Sequence, residues 1–120
     1  MFDKNAAIAA YSAAFGNNAK RLEDYCRQAG YAGDLTALAE SIRQVQGDVF
    51  DEIWRLSEER KLTQDEMIAV TRNYVAEHEP WIDETGISGL LQWVAWMSWH
   101  EGCVENPAPH KKPNPWWQFR

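Results

Sequence analysis

Residues Leu90 to Trp99, LLQWVAWMSW, set the tightest limit on what this chain can become. On a helical wheel at 100° per residue the stretch has no clean polar face. Leu90, Val94 and Met97 fall together, and Trp93, Trp96 and His100 form the adjoining strip. Leu91, Ala95 and Trp99 run around the remainder, and only Gln92, Ser98 and Glu101 interrupt. A helix that is apolar on every side needs other helices around it. The run is too short to cross a bilayer, which takes about 20 residues. Its expected place is therefore the middle of a helical bundle. The chain holds seven tryptophans, more than a core of this size needs. One or two are expected at the surface, where an indole anchors an interface.

The rest of the sequence supplies the surrounding helices. No alternating strand pattern bounded by turn pairs occurs, and apolar residues recur at steps of three and four. Ile8, Tyr11 and Phe15 mark a first helix, with Gly16 as its stop. Asn17 or Asn18 can cap a second, with Leu22, Tyr25, Cys26 and Ala29 inside and Gly30 at its end. Asp34 caps a third, whose stripe runs Leu35, Leu38, Ile42, Val45, Val49, Ile53, Leu56. Gly47 is the one place where this helix, of about 40 Å, could bend. Phe50 and Trp54 add a second ridge. TQDEM forms a capping box between Thr63 and Glu66. It opens a fourth helix with Met67, Val70, Tyr74 and His78 on one face, closed by Pro80. Asp83, Thr85 or Ser88 caps the fifth. The expected fold is all-α: a single-domain five-helix bundle over residues 1–105. An extended, Pro-rich C-terminal arm over 106–120 packs on the bundle or on a partner. Four of the nine residues from Pro107 to Pro115 are proline, so this arm cannot be helical there.

At 120 residues the chain is long enough to bury a core without metal or disulfide staples. Cys26 and Cys103 lie far apart, and sequence leaves their pairing open; two thiols in a self-sufficient domain point to a reducing compartment. The alanine-rich start lacks a strong signal-peptide core and reads as part of the mature protein. A cytoplasmic protein is expected. The net charge of −6 is uneven: Met1–Gly33 carries +1, Asp34–Leu62 −3, Thr63–Asn106 −7 and Pro107–Arg120 +3. The third block holds one basic residue, Arg72. Such a field repels nucleic acid and anionic membrane and attracts basic partners.

Catalytic motifs fail one by one. His78 and His100 each begin H-E-x-x-H, but Ile82 and Val104 occupy the second histidine's place, and Pro80 and Gly102 interrupt the helix it needs. A di-iron E-x-x-H pair fails because Val75 and Met97 stand three residues before the histidines. Weak metal candidates remain in His100, Cys103 and His110, with Glu101 or Glu105 beside them; no resident metal or cofactor is expected. His78, next to Tyr74 on the apolar face, reads as a hydrogen-bonded core histidine. Cys26 lies on an apolar stripe with no glycine turn to expose it as a nucleophile, and no Gly-rich phosphate loop occurs.

The expected function is therefore a non-enzymatic acidic protein-binding module that engages a basic protein partner, such as a nuclease. Small acidic helical inhibitor and immunity-type proteins block nucleic-acid sites with carboxylates, which is an analogy of charge rather than a match. The expected contact residues are Glu77, Glu79, Trp81, Asp83 and Glu84, together with Trp116 and Trp117 of the arm. The arm's lysines are expected to meet the acidic helices, with Trp116 and Trp117 over an interhelical groove, in a monomer or an arm-swapped homodimer. The alternative is a small enzyme or ligand binder with a Trp-lined cleft, using His78, His100 and nearby carboxylates.

Overall fold

Helix ends are written most plainly in this sequence, and the structure, a computed structural model, follows most of them. It describes residues 1–13 and 17–105. Among these, five α-helices form and no strand: α1 Lys4–Ser12, α2 Ala19–Ala29, α3 Leu35–Leu56, α4 Gln64–His78 and α5 Glu84–His100. Asn18 caps α2 through Arg21 N at 3.0 Å, and Gly30 closes it in the left-handed region at φ 76°. Asp34 Oδ1 accepts from Thr36 N at 2.9 Å and opens α3. Asp83 Oδ1 accepts from Gly86 N at 3.2 Å and opens α5. The C-terminal arm and the swapped dimer it would allow fall on residues 106–120, outside the described residues.

The capping box of α4 is complete. Glu66 N donates to Thr63 Oγ1 at 3.1 Å, and Thr63 N donates to Glu66 Oε1 at 2.9 Å. Arg60 adds a two-pronged bond to the same carboxylate, at 2.9 and 2.6 Å. The guanidinium first, then the Thr63 amide, pull the Glu66 pKa from 4.5 down to about 2. A carboxyl with a depressed folded pKa stabilises the fold above its unfolded pKa. That contribution fades as the pH falls from 4.5 through about 2. The urea midpoint of the native chain therefore exceeds that of Glu66→Gln at neutral pH, and the gap closes by about pH 2. A gap undiminished in acid would mean that the ion pair contributes nothing.

Three helices depart from the expected pattern. Helix α1 ends at Ser12, where Ala13 turns extended, rather than at Gly16. Phe15 and Gly16 lie outside the described residues. Helix α3 passes Gly47 without a break and stops at Leu56, so its 22 residues span about 33 Å rather than 40. The ends of its stripe, Leu35 and Leu56, stay exposed. On α4 the buried face is Met67, Thr71 and Val75. Thr71 tolerates full burial because its hydroxyl donates to the Met67 carbonyl at 3.0 Å. The helix is thereby rotated from the expected face. Val70 and Tyr74 are half-buried, and His78 is exposed.

Helix α5 packs against α1, α3 and α4, while α2 meets only α1 and α3. Ile87, Leu90, Trp93, Val94 and Ser98 form its buried face. Leu91, Trp96, Met97 and Trp99 are only partly covered, so the helix is central on one side rather than enclosed all round. The backbones of α5 and α1 approach closely at Gly89, where an added Cβ would stand 2.9 Å from both the amide nitrogen and the Cβ of Ala9. Farther along α1, Gln46 of α3 donates to Ser12 Oγ and Asn17 Oδ1, both at 2.9 Å. After α5 the chain returns to the α3–α4 loop. Leu62 N donates to Cys103 O and Glu105 N to Leu62 O, each at 2.9 Å, making an isolated parallel bridge between Leu62 and Val104. Cys26 and Cys103 are free and buried, and burial pushes the Cys26 thiol pKa up. Among the described residues no helix is long and apolar enough to cross a membrane.

Candidate partner-binding surface

The acidic residues singled out in sequence meet at the corner between α4 and α5. Pro80 ends α4, and Ile82 N bonds back to Glu79 O at 3.0 Å. The Ile82 side chain is buried and pins the turn to the core. Asn5 of α1 clamps the corner from the far end of the sequence. Its side-chain oxygen accepts from Asp83 N at 2.9 Å, and its amide donates to Trp81 O at 3.3 Å. The turn thus presents Trp81, 40% exposed, to solvent. The indole N–H donates to Glu79 Oε1 at 2.7 Å, and Lys4 Nζ lies 4.7 Å from the ring centroid.

The five residues share this corner but do different things. Asp83 is the α5 cap. Glu84 is held by Arg72 at 2.6 and 3.2 Å. Glu77 and Glu79 have no lysine or arginine partner among the described residues; Glu77 has only the exposed His78, at 3.8 Å. Reversing all of them would therefore disturb folding as well as binding. Asp83→Ala is expected to lower stability by about 1 kcal/mol in urea unfolding, as loss of a cap does. An unchanged midpoint would show that the cap contributes nothing.

Glu77 also borders a second feature that sequence reading did not find. A furrow runs between the end of α3 and the length of α4. It consists of two hollows, about 200 and 410 Å³, which share Leu56, Val70 and Asn73. Leu56, Leu62, Ala69 and Val70 supply its apolar floor, and Glu52, Glu59, Glu66 and Glu77 its edges. Arg55 binds Glu52 at 2.6 Å and Arg60 binds Glu66 at 2.6 Å, leaving Glu59 and Glu77 without a lysine or arginine partner among the described residues. The available signal was the outward position of Leu56 and Val70, flanked by carboxylates. The stripe reading absorbed both into the core. Burial, then the nearby Asp48 and Glu79 carboxylates, raise the Tyr74 pKa, so the furrow carries a neutral phenol at that edge.

His78 and His100 are not core residues. His78 packs tilted against Tyr74 at 4.4 Å between ring centroids, and His100 stacks on Trp96 at 5.3 Å. Both imidazoles are more than half exposed. The expectation of a buried, satisfied His78 fails because Thr71 and Val75, not Tyr74 and His78, face inward. No tryptophan lines the hollow beside His78. Of the weak metal candidates, His100 points to solvent beside Glu101 at 3.3 Å, Cys103 is buried, and His110 lies outside the described residues. Among the described residues no three His, Cys, Asp or Glu side chains are grouped so as to hold a metal ion. Trp116 and Trp117 also lie outside.

Comparison of the chain with protein-family models, with curated proteins and with solved structures finds no match.

Proposed function

We propose that this chain is a non-enzymatic acidic protein-binding module, of the inhibitor or immunity type, that engages a basic segment of a partner protein. The observation that carries the reading is the pairing of an apolar furrow floor with carboxylates that no lysine or arginine among the described residues neutralises. Glu59 and Glu77 flank Leu56 and Val70, and Trp81 with Glu79 continues the surface around the corner. Carboxylates at the rim steer a basic partner in, and buried apolar and aromatic contact holds it. The test is capture of partners from the native cell, followed by association kinetics with the purified partner. The association rate is expected to fall about tenfold or more between roughly 0.05 and 0.5 M salt. A partner of acidic character, or an association rate indifferent to salt, would overturn the reading.

A second reading draws on one observation, the exposed His78 at the mouth of the 200 Å³ hollow with Glu52 and Glu77 beside it. In that reading the hollow takes a small polar ligand, and the His78 and Tyr74 resonances shift on titration. The hollow is smaller than the roughly 300–1,000 Å³ of ordinary ligand sites, which favours protein binding.

A further inference from the structure

Another cleft, of about 310 Å³, opens between α2 and α3 and shares no lining residue with the α3–α4 furrow. Its walls follow from the helix stripes. Ala19 on α2 and Ala39 on α3 line it and are too short to close it, and Leu22 is a buried part of the wall. Leu35, the first residue of the α3 stripe, lines the same cleft and remains 37% exposed. From Leu35 to Arg43 the α3 wall runs about 12 Å. The volume sits at the lower end of the roughly 300–1,000 Å³ of ordinary ligand sites, which sets the size of an occupant.

Two hydrogen-bond donors meet at the Arg43 end. Arg43 Nη1 donates to the Tyr11 hydroxyl at 2.7 Å. Tyr11 is only 3% exposed, and its own O–H has no acceptor among the described residues. A buried donor left unpaired is costly, and an acceptor on a ligand would satisfy it. Arg43 also lacks a carboxylate among the described residues. Arg27, Arg55, Arg60 and Arg72 each hold one; Arg21 holds none there but does not line the cleft. Glu40, Asp48 and Asp51 border Arg43 on a separate polar surface without forming an ion pair with it. The one carboxylate on the cleft wall, Glu23, lies 3.5 Å from Arg27. A guanidinium offers donors and no acceptor, stays charged, and matches the paired oxygens of a carboxylate. Its bond to Tyr11 fixes it in advance, which lowers the entropy cost of binding.

We propose that the α2–α3 cleft binds a small amphipathic monocarboxylate, its carboxylate on Arg43 and the Tyr11 O–H and its apolar body along Leu22, Ala39 and Leu35. The occupant covers Leu35, gives the Tyr11 donor an acceptor, and supplies the negative charge that Arg43 lacks among the described residues. Arg43 refuses a cation, and a neutral alcohol of the same length forgoes the paired, charge-assisted bonds. The site stands or falls separately from the partner-binding role proposed above.

The experiment titrates the full chain with sodium octanoate, followed by methyl and amide NMR, with octanol and octylammonium as comparators. Octanoate is expected to shift the Leu22, Leu35 and Ala39 resonances saturably and to bind at least about tenfold more tightly than octanol. Octylammonium is expected to leave them unmoved. Arg43→Gln is expected to weaken octanoate at least about tenfold while leaving octanol unchanged. Arg43 is an exposed side chain, so the amide spectrum away from the cleft should stay native. Tyr11→Phe keeps the buried ring and removes only the hydroxyl, and is expected to weaken octanoate by about threefold or more. Absence of saturable shifts at the cleft with octanoate would overturn the proposal. So would octanol or octylammonium binding as tightly as octanoate, or an Arg43→Gln chain that binds octanoate as the native chain does.

Discussion

Replacing Gly89 with alanine lowers the stability of the folded chain by about 2 kcal/mol, whereas the same replacement at Gly47 raises it by about 1 kcal/mol. Both glycines sit inside helices, and in both places alanine gains about 1 kcal/mol of helix propensity. What separates them is the neighbour. At Gly47 an added Cβ meets nothing within 4 Å, so the propensity gain is kept. At Gly89 it would stand 2.9 Å from Ala9 N and Ala9 Cβ, with the Ala9 Cα closer still. Backbone cannot rotate aside as a long side chain can. Helices α1 and α5 must separate, and the Ala7, Ile8 and Leu90 contacts loosen with them. Urea unfolding of the two variants measures the difference directly, with the slope of the transition as a check that the folded state is intact. Equal effects at the two positions would mean that the helices are not in close approach.

The second large effect is on recognition. Reversing Glu59 and Glu77 to lysine is expected to weaken binding of the proposed basic partner by on the order of 100-fold, about 2.7 kcal/mol, mostly through slower association. Neither residue is a cap, and neither pairs with a lysine or arginine among the described residues, so the urea midpoint should hardly move. The control is reversal of Glu40 and Asp51, which line a different, polar surface of α3 with Arg43 and Gln44. It changes the net charge by the same amount. If the two pairs weaken binding equally, the protein attracts its partner through total charge alone, and the furrow is not the site.

Much of the fold was legible because caps and stripes are local. Asn18, Asp34, Thr63 with Glu66, and Asp83 each place a hydrogen-bond acceptor at a helix start, and Gly30 stops α2 with its positive φ. Local chemistry of that kind reads directly from sequence. The errors came where a tertiary neighbour decides. Thr71 is polar in any scale, yet it is fully buried because its hydroxyl is satisfied within the helix, and this rotates α4 and frees His78. Leu56 continues a perfect stripe but lies exposed on the floor of the α3–α4 furrow. The acidic corner was visible as a run of charge. The division of labour within it was not, because Arg72 reaches Glu84 across 12 positions and Asn5 reaches Asp83 across 78. An interhelical groove was expected, but not which helices form it, since a groove is a property of two helices and each sequence segment describes one.

The Asn5 clamp ties the shape of the α4–α5 corner to completion of folding. Asp83 N and Trp81 O, the two backbone groups that set the corner's shape, are satisfied by a side chain 78 and 76 positions away. A contact of such high order closes only after most of the intervening chain has condensed, because the loop entropy must be met first. A chain that has formed α4 and α5 but not yet docked α1 displays the carboxylates without the platform that orients Trp81. The oriented indole is therefore a property of the finished fold alone, set by a single asparagine.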